Sequence, residues 1–390
     1  MREFFVDLHI HIGRTYKGQA VKITASKNLT FSNIMQEASD KKGIDMIGII
    51  DMHSPQVIEE VEGYIKNGEV IELEEGGLRY KQTTIILGSE VEIRFPECSG
   101  TAHFLTYFPN LERMKQFSSW LYTKVKNVHL STQRLHASMD ELMEQVASCE
   151  GIVIPAHVFT PFKSVYGNCT NSMSNLLDMS LIPAVELGLS SDSDMADCLS
   201  ELHPKTFVTN SDAHSLPKIG REYQKIKMQD CNYQELWKAL WRKDERKITA
   251  NYGLNPKLGK YHLTRCAACS ELIREDDGER CPYCGHSQII NGVFNRLRDI
   301  ADLNTPQHPP HRPPYVHQVP LEFIPGLGPR KLKDLLDCFG TEMRVLHFVT
   351  ETELAAIVGE TLARLIIQNR LGIVNIEEGG GGKYGKILSH

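Results

Sequence analysis

Phe4-Phe5-Val6-Asp7-Leu8-His9-Ile10-His11-Ile12 decides how the rest of this chain is read. Its apolar residues predict a strand over 4–12. The period of two along a strand puts His9 and His11 on one side of it, where both imidazoles can face one ion. Moving outward, the pattern predicts a helix over 31–42 and a buried strand over 44–50. Strands follow over 84–93 and 101–108, a helix over 139–149, and strands over 152–154, 184–187 and 206–209. Strands alternating with helices mean an α/β domain with a mostly parallel sheet and enough strands to close a barrel. The glutamate-rich stretch 59–75 reads as a solvated excursion.

The gross numbers set the class. The chain has 390 residues, 41% hydrophobic and 24% charged, as in an ordinary soluble globular protein with one large domain and one or two small ones. No apolar run approaches the roughly 20 residues that span a bilayer. Met1-Arg-Glu-Phe-Phe-Val-Asp7 carries an acid and enters the strand at once, so no signal peptide and a cytoplasmic location are expected. A net charge of −6 speaks weakly against nucleic acid, but the charge is uneven. Residues 236–265 carry Lys238, Arg242, Lys243, Arg246, Lys247, Lys257, Lys260 and Arg265 against Asp244 and Glu245, with Trp237, Trp241, Tyr252 and Tyr261 among them.

Histidines and carboxylates recur where the predicted strands end: Asp7, His9 and His11, Asp51 and His53, Glu90, His103, His157, Glu186, and Asp212 with His214. In a barrel these ends converge on one face. Mixed imidazole and carboxylate ligands suit zinc, manganese or iron, and a carboxylate such as Glu90 can bridge two ions. A single histidine at a strand end is more often a structural, hydrogen-bonded residue; recurrence over successive strands is what points to metal. Glu186 also reads as a group that orients a ligand from behind.

Asp7-Leu-His-Ile-His11, Gly88-Ser-Glu90, Pro155-Ala-His157 and Asn210-Ser-Asp212-Ala-His214 resemble the PHP (polymerase and histidinol phosphatase) superfamily. The resemblance implies a distorted (βα)7 barrel with two or three divalent ions (Zn, Mn or Mg) that hydrolyses phosphate esters. It implies His9, His11, Glu90 and Asp212 around one ion, Glu90, His103 and His157 around a second, and His214 with Asp51 or His53 around a third. Glu90, Asp212 and His214 would be the catalytic residues. Asp51-Met-His53 stands where many members have an adjacent Asp-His pair, and 14–18 lacks a further histidine. The third position is therefore incomplete. Lys163, Lys218 and Arg221 are candidate phosphate contacts, although such charges are commonly plain surface.

Cys266-Ala-Ala-Cys269, eleven residues, then Cys281-Pro-Tyr-Cys284 read as two knuckles closing one structural zinc site. The other six of the ten cysteines are scattered, as for free thiols. A Pro/His-rich linker over 305–320 leads to Phe323-Ile-Pro-Gly326-Leu-Gly328-Pro-Arg330-Lys331, which resembles a helix-hairpin-helix. Gly326 and Gly328 permit a tight turn at a helix N-terminus, whose free N–H groups can bind a DNA phosphate, and Lys331 adds charge. A weaker second half surrounds Gly359. Gly379 to Gly385, with Lys383, is either a backbone wrap for a phosphate or a flexible tail.

That order of parts, with Asn210-Ser-Asp-Ala-His-Ser, Gly220-Arg-Glu and Gly253-Leu-Asn-Pro-Lys-Leu-Gly-Lys-Tyr-His, resembles the endonuclease Q family over nearly the whole chain. The resemblance implies a barrel over 1–235, a basic segment with the zinc unit over 236–304, and a helix-hairpin-helix domain with a Gly-rich tail over 321–390. It also implies cleavage of DNA 5′ to a deaminated base (uracil, hypoxanthine, xanthine) or an abasic site, leaving 3′-hydroxyl and 5′-phosphate ends through a metal-activated water. A PHP-type phosphatase for small phosphate monoesters is the alternative, but it leaves the C-terminal third without a purpose. A DNA-binding scaffold with a decayed barrel is the non-catalytic alternative. No membrane contact is expected, and no clamp-binding peptide is evident.

Overall fold

The computed structural model describes residues 1–374, 376–377 and 386–387, apart from 99, 260, 275, 276 and 279. Lys260, Lys383 and the glycine-rich run 379–385 lie outside the described residues.

The strands are β1 (Arg2–Ile10), β2 (Met46–Ile49), β3 (Ile71–Glu72), β4 (Leu78–Tyr80), β5 (Thr83–Ile93), β6 (Ala102–Phe108) and β7 (Ile152–Pro155) in the first part. Then come β8 (Ala184–Glu186), β9 (Thr206–Val208), β10 (Tyr223–Met228), β11 (Lys247–Gly253), β12 (Arg265–Cys266), β13 (Ile289–Ile290) and β14 (Tyr315–His317). The expected strands are all present, displaced by one or two residues at their ends. From Phe4 onward β1 is wholly buried, because it pairs with β2 on one side and β10 on the other and is covered on both faces.

The sheet is less parallel than the alternation of elements suggested. The β1–β2, β2–β5 and β11–β14 pairs are parallel, as is the separate two-stranded β8–β9 sheet. The β1–β10, β10–β11, β5–β6 and β6–β7 pairs are antiparallel. Among the described residues the connection between β5 and β6 holds no helix, and the two strands pair as a hairpin instead of crossing over. Once β6 is reversed, β7 meets it antiparallel in spite of the two helices between them. Beyond β9, Ala213 bridges Ile10, with His11 N donating to Ala213 O at 3.1 Å. The far end of the strand series therefore returns to β1.

Two apolar clusters flank these strands. One collects Val6, Leu8, Met46, Ile86, Leu105, Ile154, Ala184, Val208 and Ile226 from successive strands, with Leu236 and Leu240 of the helix Tyr233–Leu240. The other packs Ile47, Ile85, Phe104 and Phe108 against the surrounding helices. Helix starts follow the sequence: Ser138 caps Met139–Ser148 by accepting from Glu141 N, and the Glu141 carboxylate takes Ser138 N in return. The glutamate-rich stretch 59–75 is mostly exposed, as expected, but it is anchored at its start. It overlaps the helix Pro55–Lys66, which buries Val57, Ile58 and Val61, and its Glu60 accepts from Tyr16 N.

The basic segment and the linker are also woven into the main body. The helix Tyr233–Leu240 crosses residue 235, and β11 extends the main sheet beyond β10. Arg246 pairs with Glu235, and Arg242 donates to Thr206 Oγ1 and Pro204 O. These cations are spent on internal contacts. Residues 305–320 are no loose spacer, since β14 joins β11 and Arg312 binds Asp197.

Of the C-terminal helices Pro329–Phe339, Glu342–His347, Glu351–Val358 and Glu360–Arg370, the second meets β1 and β10 through His347 at its end. Glu342 pairs with Lys42 at 3.0 Å with both side chains buried, and His347 stacks on Phe5 with ring centroids 4.5 Å apart. His347 Nε2 lies 2.7 Å from Tyr223 Oη. Burial, then the Lys225 and Arg370 charges, hold His347 down to about 3. A folded-state value below the unfolded value of about 6.5 means that the unfolded chain takes the proton first. This stability is complete above about pH 6.5 and is lost as pH falls toward 3, at up to ~1.4 kcal/mol per pH unit. His347→Phe keeps the stack and removes the proton site. Urea unfolding at pH 7.5 and 5 should show a smaller loss for His347→Phe than for the parent chain; equal losses would refute this origin.

Among the described residues, no helix is long and apolar enough to cross a membrane.

Candidate metal centre

The strand ends bring most of the expected ligands together. His9, His11 and Glu90 form one group whose ligand atoms all lie within 4.8 Å of one another; His11, Asp212 and His214 form a second, and Glu90, His103 and His157 a third. Glu90, near the C-terminal half of β5, stands between them. Its Oε1 is 2.8 Å from His103 Nδ1, 3.4 Å from His157 Nε2 and 3.7 Å from His9 Nε2, and its Oε2 is 3.7 Å from His11 Nε2. Asp212 Oδ1 lies 3.4 Å from His9 Nε2 and 3.6 Å from His11 Nε2. His157 and Asp212 sit at φ +29° and +44°, strained for residues with a Cβ, as is common where a site dictates the backbone.

The groups behind these ligands fix their tautomers. Glu186 lies 3.0 Å from His9 Nδ1 and also accepts from Asn210 Nδ2 and His157 N. Asp51 lies 3.0 Å from His11 Nδ1 and accepts from Ile12 N. A carboxylate only accepts, so each imidazole carries its proton on Nδ1 and turns the Nε2 lone pair inward.

That arrangement corrects the expectation for Asp51 and His53. Asp51 is turned to the outer nitrogen of His11, while His53 takes Ser89 Oγ at 2.8 Å and approaches Leu130 O; neither joins a ligand group. Both lie beyond the end of β2, in a turn where the strand alternation no longer holds, so Asp51 faces His11 and His53 faces Ser89. Asp7 is a structural anchor, accepting from Ser211 N and Gly220 N.

Unpartnered atoms support a cation here. His9 Nε2 and both ring nitrogens of His103 are buried with no hydrogen-bond partner, although His103 Nδ1 is close to Glu90. Buried polar atoms are seldom left so, and lone pairs aimed at a shared carboxylate are what a divalent ion would satisfy. Electrostatics agree. Burial disfavours a charged His9, yet Glu186, Asp212 and Glu90 outweigh it and hold the ring up to about 10. A field that would retain a proton so firmly would also retain a metal ion. His214 is held down to about 4 by burial first, with His11 and Lys22 adding to it against Asp212.

A cavity of about 440 Å³ opens beside Asp212 and His214, lined also by Thr160, Gly188, Leu189, Ser190, Lys218, Arg221 and Tyr261. Arg221 donates to Ser211 O and Asp212 O, and so holds the turn that carries Asp212. Lys218 pairs with Glu322, which precedes the C-terminal glycine turn. Lys163 pairs with Glu92, away from that cavity. Residues the sequence did not flag also touch the centre: Lys22 and Thr132 hold Glu90 Oε2, and Glu92 Oε2 lies 3.6 Å from His103 Nε2. Lone lysine and threonine residues in predicted loops gave no signal.

The four cysteines converge as their spacing requires. Cys266 Sγ lies 3.6 Å from Cys284 Sγ and Cys269 Sγ 3.5 Å from Cys281 Sγ, too far for disulfides and suited to one tetrahedral ion. Backbone N–H groups of Cys269 and Ala268 favour the Cys266 thiolate. In the C-terminal unit Gly326 adopts φ +82°, and Gly328 caps the exposed start of Pro329–Phe339, which carries Arg330 and Lys331.

No family model matches the chain. The uncharacterised protein YqxK of Bacillus subtilis is 50% identical over 388 residues, covering 99% of this chain and 100% of the relative. The crystal structure of the lesion-specific endonuclease PfuEndoQ from Pyrococcus furiosus is 32% identical and covers 99% of this chain and 95% of its own, with a TM-score of 0.84. Endonuclease Q in complex with a 27-mer duplex substrate, with an abasic lesion at the active site, is 31% identical and covers 100% and 97%, with a TM-score of 0.84. The chain belongs to the endonuclease Q family.

Proposed function

We propose that the chain is a metal-dependent endonuclease that cuts DNA 5′ to a deaminated base (uracil, hypoxanthine or xanthine) or an abasic site, leaving 3′-hydroxyl and 5′-phosphate ends. The observation that carries the reading is the convergence of imidazole and carboxylate groups on Glu90, in a chain that aligns end to end with a lesion-specific endonuclease. We read the returning strand series as the distorted (βα)7 barrel, the four cysteines as a structural zinc site, and Gly326, Gly328 and Lys331 as a helix-hairpin-helix contact to the DNA backbone.

His9, His11, Glu90 and Asp212 would hold one divalent ion, and Glu90, His103 and His157 a second. Bound there, the ions would activate water for attack on phosphorus and offset the charge that develops. The protein's own contribution begins with Glu186 and Asp51, which keep the imidazoles in the tautomer that faces inward. Asp212 and His214 sit at the mouth of the cavity, where the neutral ring can accept a proton. The cavity would take a nucleotide displaced from the stack, and a mispaired or missing base costs less to displace. Lys218 and Arg221 line its wall, and Lys218 ties that wall to the C-terminal unit.

The test incubates the full-length protein with Mn²⁺, Mg²⁺ or Zn²⁺ and duplexes that differ in one nucleotide. A cut mapped to the 5′ side of the lesion, with an undamaged duplex and a soluble phosphate monoester left intact, is the expected result. Hydrolysis of the monoester with every duplex intact would replace this reading with a phosphatase.

A further inference from the structure

Between the helices Leu111–Tyr122 and Met139–Ser148 the chain turns back along β5. Glu92 N donates to Gln133 O at 3.1 Å and Leu135 N donates to Glu92 O at 2.8 Å, so residues 131–135 form a strap beside the strand that carries Glu90. Three strap side chains reach the centre. Ser131 Oγ lies 3.2 Å from His11 Nδ1, Thr132 Oγ1 donates to Glu90 Oε2 at 2.5 Å, and Arg134 Nε donates to Glu92 Oε1 at 3.2 Å. Thr132 makes its contact at φ +49°, a region that β-branched residues strongly disfavour. The strap holds this strain at the residue that touches Glu90.

The hydroxyl protons follow from the partners. Lys22 Nζ lies 2.7 Å from Thr132 Oγ1 and can only donate, whereas the Glu90 carboxylate can only accept. The single proton of Thr132 therefore goes to Glu90 Oε2. Asp51 accepts from His11 Nδ1, so Ser131 Oγ accepts there too and its own proton is left for Thr132 Oγ1, 2.9 Å away. Two donors thus polarise the hydroxyl that grips Glu90.

We infer that Thr132 is a positioning residue of the metal centre: its hydroxyl fixes the rotation of Glu90, so that Oε1 faces His9, His103 and His157 together. The inference rests on the metal reading of the groups around Glu90. Without the grip, Glu90 Oε2 keeps only the longer 3.5 Å hydrogen bond from Lys22, and the oxygen shared by two candidate ligand groups is held less firmly.

Mn²⁺ alone is the probe, because the four thiolates are soft ligands that leave this ion to nitrogen and oxygen donors. Free Mn²⁺ is followed by its EPR signal during titration of the full-length protein. Thr132→Val keeps shape and branching but lacks the hydroxyl; Thr132→Ser keeps the hydroxyl and drops the branch. Valine should bind Mn²⁺ about 10–100-fold more weakly, in line with groups that support metal ligands. Serine should match the parent chain and melt at the same temperature or higher. A packing role alone predicts the reverse order. Valine titrating like the parent, or serine as weak as valine, would overturn the inference. Should valine fail to fold, Thr132→Gly, which suits φ +49° and also lacks the hydroxyl, carries the same comparison. If the parent chain takes up no Mn²⁺, the metal reading falls and this inference with it; uptake unaltered by valine removes this inference alone.

Discussion

Replacing Glu90 with glutamine should lower cleavage of a lesion-bearing duplex about a thousandfold or more, or roughly 4 kcal/mol of transition-state stabilisation. The substitution preserves shape and removes one acceptor. Oε1 serves the His9, His103 and His157 side, while Oε2 accepts from Thr132 and lies 3.5 Å from Lys22. An amide must point its NH2 one way or the other. On one side it meets the positions where the ions would sit, and on the other it meets an ammonium that can only donate and a hydroxyl whose proton already points at it. Both orientations lose. Burial would raise the Glu90 value, but His103 and Lys22 outweigh it and hold the carboxyl well below its usual range, so the parent group is fully ionised. Single-turnover cleavage and equilibrium DNA binding at one fixed salt concentration are the measurements, since phosphate contacts make affinity salt-dependent. The rate should collapse while affinity stays near that of the parent. A rate within tenfold of the parent would place the reacting centre elsewhere.

How far the sequence carried this site depends on what kind of signal each residue left. His9 and His11 were legible because a strand period of two and a metal preference coincide in three adjacent positions. Glu90, His103, His157, Asp212 and His214 were legible by residue type beside apolar runs, and the structure brings them into groups that could hold an ion, although His103 starts its strand and reaches the others because β6 is antiparallel to β5. Asp51 and His53 carried the same residue-type signal and were misplaced, because type does not say which way a side chain turns; Asp51 supports His11 from behind. Thr132 was illegible for the opposite reason. Its role depends on a backbone φ of +49° and on a strap that pairs residue 133 with residue 92, a contact with no local pattern. The fold shows the same division. Strands were recoverable from apolar runs, but their direction was not, since Pro96 and Ser99-Gly100 mark a turn in the sequence without saying whether the next strand returns beside β5 or crosses over. The supposed linker misled because proline and histidine suggest a spacer, while its one arginine is committed to an aspartate over a hundred residues earlier.

That commitment has the largest expected effect on stability. Asp197 is fully buried, and its oxygens accept from Arg312 Nε at 2.9 Å and Nη2 at 2.8 Å, with His308 Nδ1 at 2.7 Å. Arg312 also donates to Lys205 O, and its guanidinium lies 3.2 Å from the centre of the Phe207 ring. Asp197→Ala therefore strands a guanidinium that has no route to water. Removing one partner of such a pair costs about 3–5 kcal/mol, which at about 2–4 °C per kcal/mol lowers the Tm by on the order of 10 °C. The loss should begin locally. Gln307 N donates to Asp197 O, and β14 follows only a few residues beyond Arg312, so the segment over 305–314 should become the first site of proteolysis. The double variant Asp197→Ala/Arg312→Met separates causes. Methionine can lie on Phe207 with no charge to strand, so part of the lost stability should return, although an interaction is absent from both variants. If Asp197→Ala melts within about 2 °C of the parent, or if the double variant is worse than the single, the pair is not what fastens this segment to the sheet.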